Sequence, residues 1–136
     1  MPTHSKARSV SPKSTIVPAS RTASVNGTDV DLHGFEDATV VINTGAIGGG
    51  TWTPKLQEAD DNGSGAPGTY ADVAAADLAG GWQGLTAGDL AANTVSFVGY
   101  RGTKKWLRAV VTAGGSPAAT FFSATVSRGL PARNTF

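Results

Sequence analysis

The sequence predicts an all-β protein: an antiparallel β-sandwich or jelly roll of about seven or eight short strands, with an extended N-terminal arm. Three observations predict it. Apolar and polar residues alternate with period two in several short stretches, the pattern of a strand with one face on a core. Glycine-rich turns punctuate those stretches. No segment reads as a long helix.

The chain divides into an arm (1–20), a β domain (21–130) and a tail (131–136). The arm is rich in Ser, Pro and basic residues and has little to bury, which predicts extended chain that is ordered only against a partner. Its apolar pair Ile16-Val17 suits strand addition to a neighbour's sheet edge, and Arg8 and Lys13 offer charge beside it. Residues 21–25 and 28–32 flank Asn26-Gly27, a two-residue hairpin signal. Residues 38–42 form the next expected strand, and Gly45 to Gly50 are expected to turn the chain. Residues 51–59 read as a strand with Trp52, Pro54 and Leu56 on one face, and Pro54 puts it at an edge or a bulge. Residues 60–68 are a long polar turn. Residues 70–73 make a short strand, and residues 74–78 favour a helix but are too few to stand alone.

Residues 80–92 read as loop, anchored on the core by Trp82, Leu85 and Leu90. Residues 93–100 read as a strand with Val95 and Phe97 inward. The clearest strand is 104–113. Leu107, Ala109, Val111 and Ala113 make its core face, and Lys104, Trp106 and Arg108 make a free face of two cations around an aromatic. Gly114 to Pro117 turn the chain into a last strand, 119–128, on which Phe122, Ala124 and Val126 share a side. The last three strands read as a consecutive meander.

Composition narrows the chemistry. There is no cysteine, which excludes a disulfide scaffold, a thiolate zinc site and a cysteine nucleophile. No apolar run approaches the roughly 18 residues of a membrane helix, and no secretory signal is visible, so no membrane partner is expected. Net charge is +1 but unevenly spread. All ten acids lie within residues 29–89, with Lys55 as the only cation there; the flanks carry the other ten cations. Such blocks suit complementary patches between packed copies. Four cations in the first 28 residues, without interleaved aromatics, are too little to predict nucleic-acid binding.

No catalytic, metal or cofactor site is expected. Asp60-x-Asn62-x-Ser64-Gly65 imitates the start of a calcium loop, but Ala71 stands where the bidentate Glu belongs, so an Asp/Asn/Gly turn is the plainer reading. His33 sits beside Gly34 without a base–nucleophile partner, and no G-x-S-x-G or phosphate loop occurs. Trp52, Trp82 and Trp106 would suit a carbohydrate-binding module if they formed an exposed row.

Four stretches carry a resemblance: residues 21–32 (RTASVNGTDVDL), 53–61 (TPKLQEADD), 73–78 (VAAADL) and 98–112 (VGYRGTKKWLRAVVT). Together they resemble small structural proteins encoded among the head genes of tailed bacteriophages and prophages. The resemblance implies a non-enzymatic virion component, a capsid decoration or cement protein on the capsid surface, made in the bacterial host cytoplasm. It implies the major capsid protein as partner, self-association as a trimer or dimer, and no cofactor. A tail, connector or fibre-base module is the alternative within the virion. The basic arm departs from the resembled pattern. The expected contact residues are Lys104, Trp106 and Arg108 on the strand, and Ile16, Val17, Arg8 and Lys13 on the arm. The strand face is expected to meet an acidic neighbour, such as the Asp-rich segment of another copy.

Overall fold

A computed structural model describes residues 10–129. Arg8, the rest of 1–9 and the tail 131–136 lie outside the described residues.

The fold is all-β and antiparallel. Two very long strands organise it: β4 (Ala38–Ala59) and β10 (Trp106–Arg128). They pair along their whole length, from Trp106 opposite Ala59 to Arg128 opposite Ala38. The other strands attach to this ribbon. On one half, β1 (Ser11–Arg21) pairs with β10, β9 (Thr94–Tyr100) with β4, and β6 (Leu78–Gln83) with β9, giving the order β1-β10-β4-β9-β6. On the other half, β2 (Val25–Asn26) and β3 (Val30–Asp31) pair with β10, and β5 (Ala71–Asp72) pairs with β4. A separate hairpin joins β7 (Leu85–Thr86) to β8 (Asp89–Leu90) through Ala87 and Gly88, both at positive φ, as a tight primed turn requires.

The glycine runs that read as chain reversals are instead a corner through which the ribbon continues. The β4–β10 register shifts between Gly114 and Ala118, opposite Thr51 and Gly49. Such shifts let a strand bend without ending. Gly50 has φ +82°, and a methyl there would sit 2.6 Å from Pro117 Cα. A side chain is excluded twice over, by backbone angle and by the close approach of the two strands. The bend brings the faces of the two halves together over one core. Val40, Ile42, Phe122, Ala124 and Val126 come from one half, and Trp52, Leu56, Leu107, Ala109 and Val111 from the other. The rings of Trp52 and Phe122 meet at 5.5 Å between centroids, 58° apart in plane. Each such Val, Leu or Ile side chain contributes about 1.5–3 kcal/mol by burial.

Several expectations change. The last three strands are not a meander: β9 pairs with β4 and β6, and the two expected strands around Gly114 are one. Asn26-Gly27 is no hairpin. Val25 to Asp31 run one way along β10, with a register step between the β2 and β3 pairings. Val95 and Phe97 face outward, because Ser96, Val98 and Tyr100 are the residues of β9 that reach the core. From Ser11 the expected arm is a strand of this chain's own sheet. Trp52, Pro54 and Leu56 are buried on one face as expected. Pro54 pairs with Val111 on one side only, which suits its missing N–H.

Candidate interaction site

Trp106 and Arg108 lie at the start of β10 and Lys104 just before it, and antiparallel pairing with the end of β4 sets them beside the turn that follows Ala59. That turn is residues 60–70. It is built on its own side chains: Asp61 Oδ2 accepts from the Gly63 N–H at 2.9 Å, and Asn62 Oδ1 accepts from the Ser64 N–H at 2.7 Å. These are Asx-type turns, the plainer of the two readings of this segment. The turn folds back on the cations. Lys104 Nζ reaches Asp60 at 2.9 Å, Lys105 Nζ reaches Asp61 at 3.6 Å, and the Trp106 indole N–H donates to Asp61 Oδ1 at 3.2 Å. The acidic neighbour of Trp106 is therefore the Asp-rich segment of the same chain.

Arg108 continues the arrangement. Its Nε and Nη2 both donate to Gln57 Oε1, at 3.0 and 2.7 Å. Its guanidinium lies 4.0 Å from the centroid of the Tyr70 ring, a cation–π contact. Tyr70 in turn donates to Asp29 Oδ1 at 2.6 Å. Gln57 donates to Asp72, which also pairs with Lys55 at 3.1 Å. A ladder thus runs from Lys55 through Asp72, Gln57, Arg108 and Tyr70 to Asp29, closing β3, β4, β5 and β10 under residues 60–72.

The electrostatics follow these contacts. The Trp106 indole N–H, helped by the Gly63 and Gly65 amides and Lys105, holds the Asp61 carboxyl below its usual range. Gln57 and Lys55 do the same for Asp72. The hydrogen bond to Asp60 raises Lys104. Burial, reinforced by a carboxylate partner in each case, pushes the phenols of Tyr70 and Tyr100 well up. The Tyr100 hydroxyl donates to Glu58 at 2.7 Å and accepts from the Lys104 amide. It borders a cleft of about 230 Å³ whose wall includes Leu32, His33 and Lys104. His33 is exposed there, a turn residue whose amide is held by Asp31.

The arm residues separate. Ile16 is 2% exposed and belongs to the core of this chain, so it is not free for a partner. A register shift on either side of Ile16 lets Thr15 and Ile16 both turn inward. Val17 is 59% exposed, and Lys13 is exposed opposite Val126 on the outermost strand. These two do not come together with Trp106 in any contact.

The tryptophans form no exposed row. Trp52 is fully buried, Trp82 packs on the core, and Trp106 is half-buried in the turn. Sequence reasoning missed the parts that Tyr70, Gln57 and Asp29 play. One signal was available: a strand ending in an Asp-rich turn is the natural antiparallel partner of a strand opening with cations.

No family model matches the chain, and no curated protein does. Among solved structures, the crystal structure of the SPBc2 prophage-derived protein YomS is similar at 14% identity and a TM-score of 0.45, covering 88% of this chain and 93% of that one.

Proposed function

We propose that the chain is a non-enzymatic virion structural protein, a capsid decoration or cement protein that binds the outer shell and stabilises contacts between major capsid subunits. One observation carries the reading: the four stretches that bear the family resemblance are scattered in sequence but adjacent in space. Residues 25–31 and 53–59 both pair with residues 106–112, on either side of the same strand, and the Val73 amide donates to the Leu56 carbonyl. The resemblance therefore falls on one hydrogen-bonded unit rather than on isolated turns. A cement protein needs a rigid body repeated at symmetry-related contacts, not a reaction centre. The polar side chains of this unit suit that, since they are engaged in holding it closed. The exposed side chains of Lys13 and Val17 on β1 are the surface the reading assigns to the shell.

Cryo-EM of particles carrying the protein tests this. On the order of hundreds of copies in a lattice over the shell is the expected result, as quasi-equivalent binding to every capsid subunit demands. A few copies at one vertex or in the tail would assign it to the connector or tail and sink the shell reading.

A further inference from the structure

The outer face of the five-stranded half of the sheet is distinct from the Trp106 cluster. Pairing fixes which residues share it: Ser20 beside Phe121, then Ser123–Asn43–Val95, then Thr125–Val41–Phe97–Gln83. Phe121, Val95 and Phe97 are 52, 50 and 45% exposed. Among the described residues, no position pointing outward from these five strands is Asp, Glu, Lys, Arg or His; those that are not apolar are Ser, Thr, Asn, Gln or Gly. The outer side of the other half is the opposite, carrying Lys55, Asp72 and Arg108.

A solvated sheet face normally carries charge, and an uncharged face with exposed aromatic and aliphatic side chains marks a contact. We propose that a second copy of this chain docks on it, face to face, as a two-fold dimer. Charge decides the occupant. A charged partner would lose hydration at its ions and find no counter-charge here. The partner must offer an uncharged surface, and this chain presents one: the face itself. Docked on its own copy, no ion is stranded, and the Ser, Thr and Asn side chains find donors and acceptors across the contact. Size agrees. Five strands at about 4.8 Å spacing and six residues at about 3.4 Å rise give a footprint of roughly 24 by 20 Å per copy. Doubled, that is about 1,000 Å², the lower bound for a specific interface. The dimer is therefore weak and concentration-dependent. The inference does not rest on the shell reading.

Sedimentation equilibrium of the full chain across a wide concentration range tests it, with Phe97→Lys and Ser123→Lys as variants. Ser123→Lys adds charge at the centre of the face without removing apolar surface, so it serves if Phe97→Lys disturbs folding; thermal melts report on both. The expected result is a monomer–dimer equilibrium whose dissociation constant rises at least about tenfold in each folded variant. A wild-type chain that stays monomeric, a dimer indifferent to both variants, or a trimer would overturn the proposal. So would a monomer whose shell binding Ser123→Lys abolishes, because the capsid would then occupy this face. A dimer that binds no shell sinks the cement reading and leaves this one standing.

Discussion

Gly27 shows how one missing methyl group places a strand. Its amide donates to the Ala109 carbonyl at 2.7 Å, and a Cβ there would lie 2.6 Å from that same oxygen and closer still to Thr15 Oγ1. Thr15 fills the space. Its hydroxyl donates to Thr28 O at 2.7 Å and accepts from the Ala109 amide at 3.3 Å, so β1 is tied across to the chain that edges the other half. Glycine is needed here for close approach, not for a left-handed angle. Gly27→Ala should therefore cost about 1–3 kcal/mol, as overpacking does, and lower the urea midpoint with little change in slope. An unchanged midpoint would mean that β1 does not seat against Thr28 as described. The same residue shows why the sequence misled. Asn-Gly is the dipeptide of tight turns, and nothing local separates a glycine chosen for its angle from one chosen for its size.

At the scale of elements, the turn 60–70 and β5 act as a cover whose grip depends on charge. Asp61 and Asp72 have folded pKa values below the unfolded value of about 3.9, so their contribution is present above that pH and is lost as pH falls through the folded values. Lys104, Tyr70 and Tyr100 are raised, so theirs is present below the unfolded values of about 10 and is lost as pH rises beyond them. The melting temperature should hold a plateau between about pH 5 and pH 9 and fall on both sides. The acid shoulder is expected to be small, since these ion pairs are exposed and solvent screens them. In Trp106→Phe, the Asp61 carboxyl, followed by NMR titration, should move back up toward its ordinary value. If it titrates as in the wild type, the indole bond does not hold the turn.

Strand 104–113 was legible because its alternation is strict, with Leu107, Ala109 and Val111 buried. What covers its other face was not, because that depends on which distant strand pairs with it. Val95 and Phe97 were misphased for a related reason: β-branched and aromatic residues mark a strand but not the side it buries. The smaller Ser96 goes inward, where its hydroxyl donates to Gly84 O at 3.1 Å. The glycine runs at the corner were likewise read as reversals. Gly, Ser and Pro announce a break in regular strand, and only tertiary pairing decides whether the chain turns back or bends.

For the whole molecule, the arrangement sets a ranking of local stability. β4 and β10 are flanked on both sides near Val40 and Ala124, whereas β6 is outermost and pairs with β9 at Leu78, Ala79 and Gln83 only. Native-state hydrogen exchange should find the slowest amides around residues 40–42 and 124–126, and far faster ones at 79–82. Equal protection in both places would show that the sheet opens as one unit.

The full-length pairing of β4 with β10 also governs when the fold can exist. Among the described residues β10 comes last, and β1, β2, β3 and β4 all pair with it, whereas β5 and β9 pair with β4 and β6 with β9. During synthesis β1 waits across nearly the whole described chain for its partner, and β4 waits for β10 through the five strands β5 to β9. Contacts this distant close slowly, because loop entropy must be overcome before any of them is rewarded. β1, β2 and β3 therefore stay unpaired until β10 leaves the ribosome, so their joining to the rest of the sheet is a late step.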